Sequence, residues 1–290
     1  RFMNIIDRLK RKYVFLIHKY FQINQFEINK DYLKILQDEI CIISDNIPLG
    51  TSSWENNRKE IRKAIIKGDL SDFINWDVIQ RTMFFEAPRV EYETVMCNSV
   101  LSTAINESKV GNPIRYYLDM STSGNLIHHA YSISQLLNNC DIRDFNKVIE
   151  LGGGYGSMCR LFRNMNYFGK YIIYDLPEFS ALQKFYLSSV DTKYTDNTVF
   201  SSDMNNLNDD NTRALFIATW SFSEMPIELR DQLLNYMIFD YCIIAFQEEF
   251  DGIDNIDYFN KFMNKYKHIN FNITPIEHLK NHYYLIGTKK

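Results

Sequence analysis

Residues 148–156 read Val-Ile-Glu-Leu-Gly-Gly-Gly-Tyr-Gly, an apolar run holding an acid that passes into four glycines within five positions. A glycine-rich turn lets backbone approach a ligand closely, because no Cβ intervenes. The pattern is E-x-G-x-G-x-G. A dinucleotide fingerprint, G-x-G-x-x-G, needs a glycine at 157 when counted from Gly152, and that position is Ser157. Alone, such a loop is a weak signal. Here a strand pattern precedes it, a helix pattern follows it, and Glu150 stands two residues before Gly152. Asp175 closes the next apolar run, where an acid can accept both ribose hydroxyls of an adenosine-type ligand. Because Leu176-Pro177-Glu178 follows, Asp175 also reads as a helix N-cap or a surface acid. Ser202-Asp203-Met204 offers an acid and an apolar neighbour to edge and pack an adenine, or is an ordinary Asn/Asp-rich loop. Trp220-Ser221-Phe222-Ser223-Glu224-Met225 lies where ligands of open α/β sheets bind, outside a strand's carboxyl end. Trp220 reads equally as core filler, and Glu224 as a charge favouring the N-terminus of the helix opened by Pro226.

These residues need elements to place them. The chain changes character near residue 145, from mostly helical patterns to short β-rich runs alternating with helices, the mark of a parallel α/β sheet. Lys147 to Leu151, Tyr171 to Asp175, Thr198 to Ser201, Arg213 to Thr219 and Tyr241 to Gln247 are expected as five strands. Helices are expected from Ser157 to Asn166, from Pro177, from Pro226, and from Ile256 to Tyr266. His268 to Thr274 and His282 to Thr288 are the last two strands. The link between them is too short for a parallel crossover, so they are expected as antiparallel neighbours. Upstream, Ile5 to Phe21, Gln25 to Cys41 and Trp54 to Lys67 read as helices, with a break at Pro48-Leu49-Gly50. Met83 to Ala104 is mixed, Gly111-Asn112-Pro113 a turn, Ser121 to Asn125 a loop, and Leu126 to Asn138 a helix.

Composition narrows the classes. The chain has 290 residues, 46% of them apolar, enough for a sizeable core and against wholesale disorder. Lys and Arg total 32 against 36 acids, a formal charge of −4, so a nucleic-acid partner is not expected. Five cysteines with no C-x-x-C pair suggest neither a disulfide framework nor a zinc knuckle, and fit a reducing cytoplasm. No run of about 18 apolar residues marks a membrane span. The first helix is basic and amphipathic. It reads as a helix docked on its own domain or on a second subunit, or as one lying on an anionic membrane.

The runs VIELGGGYGSMCRLF, YIIYDLPEFSALQKFYL, SFSEMP and FQEEF resemble the sugar O-methyltransferase family of bacterial surface-glycan gene clusters. These are class I S-adenosylmethionine (SAM)-dependent methyltransferases. The resemblance covers residues 110–290; the first hundred residues resemble no named family. It implies a Rossmann-like α/β fold, a seven-stranded sheet with a reversed last strand. Separately from the resemblance, the mainly helical region over 1–110 is expected to form the acceptor side of the cleft or a dimer interface. The resemblance places Glu150, Gly152, Gly154 and Gly156 at the methionine end of SAM, Asp175 at the ribose, and Asp203 with Met204 at the adenine. Gly153, Tyr155, Leu176, Trp220 and Ser221 complete the expected cofactor set.

Methyl transfer to an alcohol asks the protein to align donor and acceptor and to take up the hydroxyl proton. His128 and His129, on the helix before the first strand, are candidate bases, because imidazole titrates near neutral pH. Both also read as structural histidines. Glu224 is the rival base, and His18, His268, His278 and His282 carry no expected role. Tyr131, Gln247 and Glu248 are the expected acceptor contacts, Glu248 reading also as a solvated charge; no metal is expected. The expected acceptor is a sugar or nucleotide-activated sugar. Three alternatives stay open: a phosphate-type oxygen or other small metabolite as acceptor, a nicotinamide-dependent oxidoreductase on a similar sheet, and a scaffold without chemistry.

Overall fold

The computed structural model describes residues 5–21, 26–43, 52–83, 86–208 and 213–290. The expected break at Pro48-Leu49-Gly50 lies outside them. Among the described residues, six α-helices come first: α1 (Ile5–Phe21), α2 (Lys30–Ile42), α3 (Ser52–Lys67), α4 (Asp77–Gln80), α5 (Arg89–Met96) and α6 (Ser99–Ala104). Asn29 caps α2 by accepting from the Asp31 and Tyr32 amides, and Asn98 caps α6 in the same way. The mixed stretch from Met83 thus resolves into α5 and α6.

The Ser/Thr-rich segment read as a loop is half strand: β1 (Arg115–Tyr116) and β2 (Asp119–Ser123) form an antiparallel pair. The Ser123 hydroxyl then accepts from the Leu126 amide at 3.3 Å and starts α7 (Gly124–Leu137).

The main sheet follows, in the order expected. Its parallel strands are β3 (Lys147–Leu151), β4 (Lys170–Tyr174), β5 (Thr198–Ser201), β6 (Ala214–Thr219) and β7 (Tyr241–Gln247). Helices α8 (Ser157–Asn164), α9 (Pro177–Val190) and α10 (Ile227–Leu234) make crossovers. A two-residue hairpin, β8 (Glu249–Phe250) with β9 (Ile253–Asp254), leads to α11 (Asn255–Lys265), then β10 (Ile269–Pro275) and β11 (His282–Lys289). The spatial order is β10-β11-β7-β6-β3-β4-β5, and β11 runs antiparallel to both neighbours. The strand order therefore reverses at β3. Crossovers to one side reach β4 and β5, those to the other reach β6 and β7, and a crevice opens between β3 and β6.

Both faces of the sheet are covered, which is why β3 is buried at all five positions. Alternate residues sort the faces. Ile149, Leu151, Ile172, Phe216 and Ile244 pack beneath α10 and α11. Val148, Tyr171, Ile173, Leu215, Ile217 and Ile243 share the other core with Leu36 and Ile40 of α2, Ile61 and Ile65 of α3, and Leu126 and Ile133 of α7. The helical region and the sheet thus have one continuous core on that side. A buried ion cluster adds to it: Arg58 and Arg62 of α3 donate to Glu178 of α9 at 2.8 and 2.6 Å. Among the described residues, no helix is long and apolar enough to cross a membrane, and all five cysteines are free thiols.

Candidate functional site

The turn after β3 shows why glycine is needed. Gly152 has φ +71, and a Cβ there would stand 2.3 Å from the Ser221 Cβ. Gly154 has φ +57, and its Cβ would meet the Met83 methyl at 2.7 Å. Both conformations are costly for a side chain. The Gly turn is therefore gripped between the segment after β6 and the helical region. Its geometry is fixed by Gly152 N–H donating to the Tyr174 carbonyl and Gly156 N–H to that of Gly153, both at 2.9 Å.

Two acids face this turn. Burial pushes the Glu150 carboxyl up to about 8, against a 2.8 Å hydrogen bond from the Tyr171 hydroxyl. Asp175 stands one residue past β4. Its carboxylate accepts from the Leu176 amide at 2.8 Å and from Gln183 Nε2 at 2.7 Å. The same Gln183 nitrogen also donates to the Gly154 carbonyl at 2.9 Å, tying acid and turn together. Burial raises the Asp175 carboxyl to about 7, opposed by the Leu176 amide, Gln183 and the amides of Gly154 and Gly153. Leu176 is the N-cap of α9, so Asp175 does not cap that helix.

The opposite wall is aromatic and imidazole-rich. Trp220 has φ +65 and ψ −35, a strained backbone for a bulky residue, held by its N–H on the Ala245 carbonyl at 2.7 Å. Its indole N–H donates to His282 Nδ1 at 2.7 Å, and its ring stacks on His128 with centroids 5.2 Å apart. His128 Nδ1 lies 2.9 Å from both carboxylate oxygens of Glu91, on α5. His129 is held neutral, its pKa lowered to about 3 by burial and then by His128. The 3₁₀ turn Ser221–Glu224 is pinned from below by Arg230, which donates to the Ser223 carbonyl at 2.6 Å and the Met225 carbonyl at 2.8 Å. Burial raises Glu224 to about 7, against a hydrogen bond with Gln247.

These groups line one cavity of about 360 Å³ at the carboxyl ends of β3, β4, β6 and β7. Of the residues singled out from sequence, it is lined by Glu150, Gly152, Gly153, Gly154, Tyr155, Asp175, Leu176, Trp220, Ser221, His128, His129, Glu224 and Gln247. Five others lie elsewhere. Gly156 starts α8 against Leu187. Asp203 spends its carboxylate on the Asn205 amide at 2.9 Å, as an ordinary Asx turn. Met204 packs on the core beneath α10 and α11. Tyr131 packs edge-on against His278 with centroids 5.3 Å apart, and Glu248 is exposed.

His282 carried no expected role, yet it lines the cavity. The signal was available: β11 is reversed, so its first residue pairs with Gln247, the last residue of β7, at the ligand-facing edge. Trp54, Thr82 and Met83 of the helical region also line the cavity, where no motif pointed to them. Three carboxyl groups and three imidazoles line it, with no Lys or Arg among the described lining residues. Among the described residues, no group of three or more His, Cys, Asp or Glu is arranged to hold a metal ion.

No protein-family model matches the chain. No curated protein matches it either. Among solved structures, it is similar to a glycopeptide N-methyltransferase, MtfA, complexed with (S)-adenosyl-L-methionine: 10% identity over 56% of this chain and 87% of that one, TM-score 0.43. It is similar to a SAM dependent methyltransferase from Aquifex aeolicus, at 15% identity over 53% of this chain and 87% of that one, TM-score 0.38. A chain of a Pnkp1/Rnl/Hen1 complex shows 16% identity over 55% of this chain, TM-score 0.41; the match spans 41% of that chain's length.

Proposed function

We propose that this chain is a SAM-dependent methyltransferase that places the methyl group on a hydroxyl of a small acceptor, a sugar by the sequence resemblance. One observation carries the reading: the Gly152–Gly154 turn, Glu150 and Asp175 converge on one cavity at the point where the strand order reverses. The residues fit the cofactor. Asp175 suits the ribose hydroxyls, the Gly turn admits the methionine backbone, and Leu176, Phe179 and Trp54 offer apolar packing for a nucleobase. The carboxyl groups suit the cofactor's positive charges.

When bound, SAM supplies a methyl carbon already activated by the adjoining sulfonium charge. The protein holds the acceptor oxygen in line and takes up its proton. His128 is the proposed acceptor of that proton. Of its rivals, His129, lowered to about 3 by burial, is a weak base, whereas Glu224, raised to about 7 by burial, is matched to neutral pH and stands as the alternative base. Gln247 and His282 are the polar groups proposed to orient the acceptor.

Electrostatics favours an alcohol over a phosphate-type oxygen, because the described lining holds no Lys or Arg to neutralise an anionic acceptor. The same lack disfavours a pyrophosphate-bearing nicotinamide cofactor. Outside the site, α1 turns Leu9, Tyr13 and Leu16 to solvent beside Lys10 and Lys12, which supports a peripheral contact with an anionic membrane. The free thiols support a reducing, cytoplasmic setting.

Calorimetric titration with SAM and with NAD, followed by transfer of labelled methyl to methyl glycosides of neutral hexoses and to their phosphate esters, tests the reading. SAM binding and label in a neutral glycoside are expected. Binding of NAD alone, or label only in the phosphate esters, would overturn it.

A further inference from the structure

The chain neutralises its other ion-paired buried glutamates with arginine. Glu178 meets Arg58 and Arg62, and Glu107 meets Arg160. Glu91 differs. Its fully buried carboxylate is held by two imidazoles, His128 Nδ1 at 2.9 Å from both oxygens and His278 Nε2 at 2.6 Å from Oε1. His128 lines the cavity, whereas His278 sits in the link between β10 and β11 and does not. An arginine would have neutralised Glu91 more simply, since it never gives up its proton. An imidazole in that place is a group whose charge can change.

Resting on the methyltransferase reading, we infer that Glu91 is a positioning residue that fixes His128 as the acceptor of the hydroxyl proton. A carboxylate on Nδ1 holds that nitrogen as N–H, so Nε2 is the nitrogen that accepts. The step balances: as the acceptor oxygen bonds to the methyl carbon, its proton moves to His128 Nε2, and the Nδ1 proton stays shared with Glu91. Glu91 then faces an imidazolium across 2.9 Å and stabilises the charge that has just formed. His278, on the other side, keeps the carboxylate from turning away. Glu91 is suited to this work, because it remains ionised. Burial raises a carboxyl, yet Glu91 lies below its ordinary value, since hydrogen bonds from His128 and His278 oppose burial, and the charge of either imidazole adds to them when it is protonated. Other groups facing this pair are His129, His282, Tyr116, Tyr131 and Tyr284. None brings a fixed positive charge.

The position matters for the whole chain. Glu91 belongs to α5, in the region upstream of the sheet, so the helical region supplies part of the proton-handling machinery as well as the cavity roof formed by Trp54 and Met83.

The test uses the full chain. In wild type at pH 8, nitrogen NMR of ¹⁵N-histidine-labelled protein is expected to show His128 as the Nδ1–H tautomer. An Nε2–H tautomer would overturn the inference, and this readout needs no acceptor. Glu91→Gln, which keeps the shape and removes the charge, is expected to lower kcat on a neutral methyl glycoside by roughly 10²- to 10⁴-fold. SAM affinity and acceptor KM should stay within about threefold, with Glu91→Asp recovering part of the rate. Wild-type kcat in Glu91→Gln, or parallel loss of kcat and SAM affinity, would overturn it, the latter marking a merely structural role. Failure of wild type to bind SAM would instead sink the methyltransferase reading while leaving the tautomer result standing.

Discussion

At the scale of single residues, the cavity concentrates carboxyl groups that burial holds partly protonated: Glu150 near 8, Asp175 near 7 and Glu224 near 7. A raised carboxyl binds a proton in the folded chain at a pH where the unfolded chain has released it. The window runs from about pH 4, the unfolded value, to the folded values just given. Within it the folded state loses stability as pH rises. Thermal melts of the ligand-free protein should therefore show Tm falling between pH 5 and 8, and the fall should shrink in Glu150→Gln. A Tm that climbs steadily across that range would contradict the burial of these groups. Asp175→Asn keeps the volume and removes the charge that faces the Gly turn. Hydrogen bonds to charged groups contribute about 1.5–3 kcal/mol, so SAM affinity should drop by roughly ten- to a hundredfold. Calorimetry on the variant reads this directly, and wild-type affinity would remove Asp175 from the site.

At the scale of elements, the site depends on which chain ends meet. β3 and β4 were readable because both are short apolar runs closing near an acid, and the Gly turn and Pro177 mark their ends. The reversed β11 was readable from the short link before it, and the place of His282 follows from that reversal, since a reversed strand brings its beginning, not its end, to the ligand edge. The Ser121–Asn125 segment misled because Ser and Thr suit loops, strand edges and helix caps alike, and Ser123 serves as both strand end and cap. Asp203 lies outside the described cavity lining and one of its carboxylate oxygens accepts from the Asn205 amide, an Asx turn that an acid after a strand forms readily. The contact of α3 with α9 was invisible in sequence, since Arg58 and Glu178 are paired across 120 positions. It is also a testable joint. Glu178→Ala removes the buried carboxylate shared by Arg58 and Arg62 and leaves Arg58 with Glu55 alone, a loss of up to about 3–5 kcal/mol by precedent for broken buried pairs. Urea unfolding should show the midpoint falling accordingly. A change below about 1 kcal/mol would mean that the pair is solvated in solution.

At the scale of the whole molecule, the helical region and the sheet are bound together by one core and by the cavity they share. Leu36, Ile61 and Phe73 pack in the same cluster as Val148 and Ile243, and Trp54 and Met83 roof the Gly turn. A fragment of residues 111–290 would expose that sheet face and should neither melt cooperatively nor bind SAM. A soluble, cooperative fragment with wild-type affinity would show that the helical region is an accessory. The resemblance in sequence stopped near residue 110, and the sequence offered the upstream region only a general place on the acceptor side or at a dimer interface; the fold brings Trp54, Thr82 and Met83 to the cavity wall. The account turns on one claim, that the turn after β3 and the acid after β4 hold the same adenosyl ligand. The most direct measurement is a crystal structure of the full chain with S-adenosylhomocysteine. It should place the ribose against Asp175 and the amino-acid end over Gly152–Gly154, with His128 facing the sulfur. Ligand bound elsewhere on the chain, or an empty cavity at saturating concentration, would contradict it.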